Sequence, residues 1–192
     1  MRISVLILTH NRPELFKRCL ASAIEYRKLS PHDIEIIVNN DSFDIEEVDD
    51  NIKYFYSTLP VNDIYPFLYD QSNGDYIMYL EDDDELIYND IQFDHDLIIG
   101  IYNAYSKDRN IKQLQELIIN REQSTVNFEH FQLTQMIFKR EFVTNFPSVY
   151  HDENDETLLS NILSNNPTIK YCNRLFFKQG VDFQNLSLGT II

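Results

Sequence analysis

The feature that most constrains this fold is a series of four short, largely apolar runs in the first half of the chain, each followed by polar residues. The runs occupy residues 3–8, 34–38, 52–57 and 76–80. Runs of this length, bounded by turn-forming residues, predict buried β-strands. Between the first two runs, apolar residues recur at helical spacing from Pro13 to about Lys28, which predicts a helix that begins at the proline.

The alternation of strands and helices predicts an α/β fold with an open, mostly parallel central sheet and helices packed on it. With 192 residues, 43% of them hydrophobic, the chain has the size of one domain, or of one domain with a small appendage. Residues 60–73 are predicted as a loop or a short helix. In the second half we expect strands at residues 96–105, 133–138, 168–172 and 174–178 and helices at 140–145 and 155–163, while 111–120 could form either.

Cysteine content and hydrophobicity indicate the compartment. Cys19 and Cys172 are too few for a disulfide framework, so we expect buried thiols in a reducing compartment, with a single bridge as the alternative. No apolar run is long enough to cross a bilayer. We therefore expect a soluble protein of the cytoplasm, which could be the cytoplasm of a phage-infected host cell.

Acidic residues are concentrated in the middle of the chain. Residues 41–99 contain 17 Asp and Glu against one basic residue, Lys53, and the net charge is −15. Such a charge repels polyanions and disfavours nucleic acid as a partner. The acidic region is a solvated surface, or contains a cation site, or both. None of the four glycines belongs to a phosphate-binding glycine motif, so a nucleotide diphosphate would need a metal to neutralise its charge.

Three polar clusters follow predicted strands, at residues 9–12, 39–42 and 81–84. Ligands of open parallel sheets bind at the carboxyl ends of the strands, which is where these clusters fall. Successive acids after a buried strand are costly unless solvent or a cation compensates their charge. Because side chains alternate at a strand end, we expect Glu81 to pair with Asp83, and Asp82 with Asp84, one pair holding a divalent cation. The alternative is an acidic surface loop.

Several segments, in order along the chain, resemble the inverting glycosyltransferases of family two, which have the GT-A fold. They are residues 3–12 (ISVLILTHNR), 34–42 (IEIIVNNDS), 73–86 (NGDYIMYLEDDDEL), 136–143 (MIFKREFV) with 154–163 (NDETLLSNIL), and 171–187 (YCNRLFFKQGVDFQNLS). The resemblance implies one GT-A, Rossmann-like domain over residues 1–192, with helices on both faces of the sheet. Residues 1–86 would be its nucleotide-sugar-binding half and 87–192 its acceptor-binding and catalytic half.

The resemblance also implies a reaction and a donor site. The enzyme would move a sugar from a nucleotide-diphosphate sugar to a hydroxyl of a glycan, a lipid-linked sugar or a small molecule. Asn39 stands where the family commonly has an Asp that binds the base, so the identity of the base stays open. The donor contacts would be Thr9, His10, Asn11, Arg12, Asn39, Asp41 and Asp82.

The metal-binding residues implied by the resemblance are carboxylates. Asp83 would be the principal ligand of Mn²⁺ or Mg²⁺, and Glu81 would contact the ribose or the metal. Asp182 stands where many relatives have a metal-binding His, although it could equally be a surface acid. The basic candidates for the diphosphate are Arg12, Lys53, Lys139, Arg140 and Lys178.

The catalytic base is implied at Asp155 and Glu156, and we favour Glu156. It would take the acceptor proton in a single inverting displacement. These acids could instead favour the helix dipole, and Asp152 or Asp155 could replace Glu156 as the base. Two other functions stay open: a GT-A-fold binding protein without turnover, and a viral-type glycosyltransferase acting on modified DNA bases.

Overall fold

One continuous sheet organises the computed structural model, which describes residues 1–42, 49–103, 133–143 and 154–178. The strands are β1 (Arg2–Thr9), β2 (Asp33–Asn40), β3 (Ile52–Tyr56), β4 (Tyr76–Glu81), β5 (Glu85–Leu86), β6 (Leu97–Asn103), β7 (Met136–Lys139) and β8 (Ile169–Lys178). The helices are α1 (Pro13–Leu29), α2 (Val61–Gln71) and α3 (Asn154–Ser164). Two short 3₁₀ helices, Leu133–Gln135 and Arg140–Phe142, flank β7.

The strand order in the sheet is β3-β2-β1-β4-β7-β6-β8-β5. The first four strands of this order are parallel to one another, as are β6 and β8. Strand β7 runs antiparallel to both of its neighbours, and β5 runs antiparallel to β8. The sheet is therefore mixed and mostly parallel, which confirms the predicted fold class.

Helices cover both faces of the sheet because successive strand residues point to opposite sides. In β4, Tyr76, Met78 and Leu80 belong to one core, and Ile77 and Tyr79 belong to the other. The first core contains α1 through its buried residues Phe16, Cys19, Ala23 and Tyr26. The second contains α2 and α3 through Ile64, Leu68, Leu158, Leu159 and Ile162.

Local sequence explains where the first two helices begin and end. Pro13 occupies the first turn of α1, where its missing N–H costs nothing. The helix ends at Leu29, before Ser30-Pro31, because the residue before a proline avoids helical geometry. Helix α2 forms within the segment predicted as a loop or a short helix. Pro66 lies inside α2, and burial of Ile64 and Leu68 on the sheet outweighs its helix-breaking tendency.

The second half corrects two predicted elements. Residues 133–135 form a 3₁₀ helix instead of the start of a strand, and β7 begins at Met136. The two late strands are a single strand, β8, with an irregularity, since Gly100 pairs with Cys172 but Ile101 pairs with Leu175. The predicted helix at 155–163 is confirmed as α3, whereas residues 111–120 lie outside the described residues.

The cysteines and the helices bear on two further predictions, and the burial predicted for both thiols holds fully only for Cys19. Cys19 and Cys172 are both free thiols, the first buried and the second half-buried. Burial raises the pKa of Cys19 well above its usual value, and the nearby carboxylates Asp82 and Asp84 add to this shift. Within the ranges that the structure describes, no helix combines the length and apolar character needed to span a membrane.

Candidate active site

The three polar clusters meet at one edge of the sheet. Strand β1 lies between β2 and β4, so that Leu8 is opposite both Asn39 and Glu81. Thr9, the last residue of β1, is opposite Asn40. We call this edge, formed by residues 9–12, 39–42 and 81–84, the carboxyl edge. Its assembly from three separate segments confirms the expectation that the strand ends come together.

The loop after β1 is fastened to the loop after β2. Asn11 has a φ of 50°, a left-handed conformation that Asn tolerates better than most residues. Its backbone N–H donates to Ser42 Oγ. His10 Nδ1 lies 2.8 Å from each carboxylate oxygen of Asp41. These contacts place His10, Asn11 and Asp41 in one group beside the ends of the strands.

Asn39 is fully buried at the end of β2. Its side-chain Nδ2 donates to the Ser57 carbonyl at 3.3 Å. Its Oδ1 is buried and has no hydrogen-bond partner in the part of the chain that the structure describes. A buried acceptor without a partner costs free energy of folding. Asn39 therefore holds an unused acceptor at the position proposed for the base.

The acidic segment turns sharply where β4 ends. The backbone N–H of Asp84 donates to the Glu81 carbonyl at 3.0 Å and closes the turn. One carboxylate oxygen from each of Glu81, Asp83 and Asp84 lies within 4.8 Å of the others. Three hard oxygen ligands at this spacing fit a divalent cation such as Mn²⁺ or Mg²⁺. We call these residues the carboxylate cluster.

The turn corrects the expected pairing of the acids. Strand alternation placed Asp84 with Asp82, but the chain leaves the strand at Glu81 and brings Asp84 beside Asp83. Asp84, which was expected only in the alternative pair with Asp82, is therefore a candidate ligand together with Glu81 and Asp83. Ser42, which accepts the Asn11 N–H, was not predicted. The four consecutive acids were the available signal for Asp84, but only the turn brings it to Asp83.

Asp82 is not part of the carboxylate cluster and is fully buried. Thr9 Oγ1 donates to its Oδ2 at 2.9 Å, and the His10 N–H donates to the same oxygen at 3.3 Å. The Arg12 guanidinium contacts both oxygens of Asp82. Burial raises the pKa of Asp82 above its usual value, although Arg12 and Thr9 favour the ionised form. Asp82 thus joins the loop after β1 to the turn after β4.

The basic residues are distributed differently from the prediction. Of the five candidates, only Arg12 is described at the carboxyl edge. Lys53 pairs with Glu35 at 2.6 Å, and Lys139 pairs with Asp96 at 2.5 Å. Lys139 lies opposite Tyr76 at the amino end of β4, followed by Arg140. Lys53, Lys139 and Arg140 are therefore wrong as diphosphate ligands. The Lys178 side chain lies outside the described part of the structure.

The remaining predicted residues lie in the second half. Asp155 and Glu156 belong to the first turn of α3, which agrees with the predicted helix start. Asp152 and Asp182 lie outside the described residues. The roles of all four stay predictions.

Comparisons with known proteins show what this fold resembles. No protein-family model and no curated protein matches the sequence. Among solved structures, S. aureus TarS (residues 1–349) in complex with UDP has a TM-score of 0.70 at 14% identity, covering 94% of this chain and 61% of that one. The same protein in complex with UDP-GlcNAc gives 0.68 at 14% identity, covering 94% and 58%.

A third solved structure is the mannosyltransferase PcManGT from Pyrobaculum calidifontis in complex with GDP-Man and Mn²⁺. It has a TM-score of 0.70 at 13% identity, covering 95% of this chain and 58% of that one. This chain therefore spans about three fifths of the length of these solved chains. Because the sequence identity is this low, the similarity shows the fold alone, which is GT-A-like.

Proposed function

We propose that this protein is a metal-dependent, inverting glycosyltransferase that moves a sugar from a nucleotide-diphosphate sugar to a hydroxyl acceptor. The observation that supports the proposal best is the carboxyl edge, where a carboxylate cluster lies beside an unused buried acceptor on a GT-A-like sheet. Solved proteins of similar fold bind UDP, UDP-GlcNAc or GDP-Man. The sequence resemblance to family two supports the inverting outcome.

The donor nucleoside binds over the ends of β1 and β2. Asn39 Oδ1 accepts a hydrogen bond from the base, because Nδ2 already donates to Ser57. His10 provides an exposed ring on which the base can stack, and Asp41 orients that ring. Asn39 stands where a carboxylate is common in the family that the sequence resembles. Uracil and guanine both carry a ring N–H that Asn39 Oδ1 can accept, so these are the bases to compare.

The donor diphosphate binds at the turn after β4. Glu81, Asp83 and Asp84 would hold Mn²⁺ or Mg²⁺, which acts as a Lewis acid for the departing diphosphate. Asp83 is the principal ligand, because it lies between the other two acids in the turn and is partly exposed. Asp82 keeps its position against Thr9 and Arg12 and holds the turn in place.

Glu156 acts as the general base. It takes the proton from the acceptor hydroxyl while that oxygen attacks the anomeric carbon and the bond from this carbon to the diphosphate oxygen breaks. The displacement is a single step, so the anomeric configuration inverts. Asp155 is the neighbouring acid and the alternative base. The acceptor is a glycan, a lipid-linked sugar or a small molecule.

The proposal is tested by donor binding and turnover. UDP- and GDP-sugars are screened by thermal shift with and without Mn²⁺, since a ligand that binds the folded state raises the melting temperature. Release of free nucleotide diphosphate is then measured for the best donor. Asp83→Ala should lose the Mn²⁺-dependent shift and keep the melting temperature of the free protein. Asp70→Ala, an exposed acid on α2, is the matched control.

The outcomes separate the open alternatives. Metal-dependent donor binding with release of diphosphate supports the enzyme. Binding without any release, even with a panel of acceptors, identifies a binding protein of the same fold. Failure of every nucleotide-sugar to shift the melting temperature, with or without Mn²⁺, would overturn the proposal.

A further inference from the structure

Arg12 connects two carboxylates that have different roles. Its guanidinium contacts both oxygens of the buried Asp82, with Nε 3.2 Å from Oδ2. Its Nη1 also lies 3.4 Å from Asp83 Oδ2. Asp83 belongs to the carboxylate cluster, whereas Asp82 does not. A single positive charge is therefore held against the cluster by a carboxylate outside it.

The two contacts of Arg12 differ in strength. The contact with Asp82 involves both carboxylate oxygens and a fully buried partner that Thr9 also fixes. The contact with Asp83 is one long hydrogen bond to a side chain that is 24% exposed. Pairing with a buried carboxylate that other hydrogen bonds also hold in place is the stronger arrangement, because charges attract more strongly where water is excluded. Asp82 is therefore the anchor of Arg12, and the contact with Asp83 is the one that a ligand can replace.

This arrangement sets the electrostatics of the carboxylate cluster before any donor arrives. The guanidinium neutralises part of the charge on Asp83 and repels a second cation at the same oxygens. A nucleotide diphosphate carries negative charge that attracts both the guanidinium and a divalent cation. Arg12 therefore disfavours binding of the cation alone. It does not disfavour joint binding of the cation and the diphosphate, because the diphosphate attracts both positive charges.

We propose that Arg12 makes divalent-cation binding conditional on the nucleotide diphosphate. Arg12 is then a positioning residue that couples the ion to the donor, and by linkage each raises the affinity of the other by the same factor. The inference rests on the proposed function, since it assumes that the carboxylate cluster holds the ion. It concerns the affinity for the ion alone, which turnover does not report.

The test measures Mn²⁺ affinity by calorimetry and by the electron paramagnetic resonance signal of free Mn²⁺, first alone and then with UDP or GDP. The key variant is the double substitution Arg12→Gln with Asp82→Asn, which removes the guanidinium without leaving a buried charge unpaired. It should bind Mn²⁺ alone about tenfold more tightly than the wild type and gain correspondingly less from the nucleotide. A purely structural role predicts the opposite, weaker Mn²⁺ binding.

Two further variants give independent readings. Arg12→Lys keeps a charge against Asp82 but lacks the second arm that reaches Asp83, so it should tighten Mn²⁺ binding by a smaller factor. Arg18→Gln is the matched control, because Arg18 pairs with the adjacent Glu85, outside the cluster. Arg18→Gln should leave Mn²⁺ affinity within about twofold of the wild type, since exposed charges are screened.

Each outcome decides the question. Unchanged or weaker Mn²⁺ binding by a folded double variant or by Arg12→Lys overturns the inference and leaves the proposed metal site intact. Equal tightening by Arg18→Gln also overturns it, since the cause is then the overall charge. A wild type that binds Mn²⁺ neither alone nor with either nucleotide overturns the inference together with the metal dependence in the proposed function.

Discussion

The two ends of the parallel strands each contain a carboxylate of low exposure, and the pKa values of these two carboxylates are shifted in opposite directions. At the amino edge, formed by Arg2, Ser4, Glu35, Lys53 and residues 73–75, Glu35 accepts hydrogen bonds from Ser4 Oγ, Lys53 Nζ and the Asn73 N–H. Burial raises the pKa of Glu35, but these bonds outweigh burial and lower the pKa overall. At the carboxyl edge, burial prevails and the pKa of Asp82 is raised.

The contrast extends beyond the carboxylates. The carboxyl edge contains the unpartnered Asn39 Oδ1 and the left-handed backbone of Asn11. The amino edge is closed, since Ser4 Oγ accepts the Gly74 N–H and the Asp75 carboxylate accepts the Arg2 N–H. Unsatisfied and strained groups are concentrated at functional sites in folded proteins. We therefore expect amino-edge substitutions to reduce stability and carboxyl-edge substitutions to reduce ligand binding.

The largest expected effect is that of replacing the proposed catalytic base in the first turn of α3. Glu156→Gln should bind donor normally and lose transfer by about 10² to 10⁴-fold, because the amide cannot accept the acceptor proton. Donor affinity and single-turnover transfer rates measure the two effects separately. Asp155→Asn is the control. If Glu156→Gln transfers normally and Asp155→Asn loses transfer, the base is Asp155 and not Glu156.

The first half of the fold could be predicted from the sequence because its signals are local. The strand at 76–80 is a continuous apolar run, the strand at 3–8 is interrupted only by Ser4, and α1 has regular spacing with a proline at its start. The second half was harder because its elements depend on partners distant in sequence. The irregularity in β8 exists only in its pairing with β6, and Leu133 begins a 3₁₀ helix directly before the apolar strand β7.

The site shows the same limit. Polar residues at strand ends identified the segments, since the ends of parallel strands lie together. The partners of individual side chains could not be predicted, because a turn of two residues decides where Asp82 and Asp84 point. Arg12 was expected to bind a phosphate, and the structure shows it paired with Asp82.

The second prediction concerns stability at the amino edge. Glu35→Gln should lower the free energy of unfolding by about 1.5 to 3 kcal/mol, the range for hydrogen bonds to charged groups. Because the pKa of Glu35 is lowered on folding, the wild-type advantage is full above the unfolded pKa and is lost as the pH falls through the folded one. Urea denaturation between pH 7 and pH 3 measures both effects.

The control for Glu35 is an exposed carboxylate. Glu25→Gln removes a surface pair with Lys28 at 3.7 Å and should change stability by at most about 0.5 kcal/mol. Donor binding should be unchanged in both variants. A loss of Mn²⁺-dependent donor binding in folded Glu35→Gln would contradict the separation of the two edges.

The third prediction concerns Gly74. A Cβ there would lie 2.5 Å from Ser4 Oγ, 2.6 Å from the Ser4 nitrogen and 2.8 Å from the Tyr76 carbonyl oxygen. Two of these atoms are backbone, so Gly74→Ala should cost about 1 to 3 kcal/mol through overpacking. Thermal denaturation measures the loss, and Asn73→Ala at the exposed neighbour should stay near the wild type. Equal stability of both variants would show that the amino edge is less tightly packed than described.

The smallest expected effect has the opposite sign and is the most direct test of the contrast. Asp82→Asn should raise the free energy of unfolding at pH 7 by about 0.5 kcal/mol or more, because it removes a charge that burial disfavours. Arg12 keeps its contact with Asp83 and is 25% exposed, so its positive charge is still compensated by a carboxylate and by solvent. A raised pKa in the folded state means that wild-type Asp82 destabilises the fold above that pKa. The difference between the two proteins should therefore shrink as the pH falls toward about 4, where Asp becomes protonated. Urea midpoints at pH 7 and pH 4 measure it, and a variant less stable at pH 7 would show that Asp82 stabilises the fold as Glu35 does.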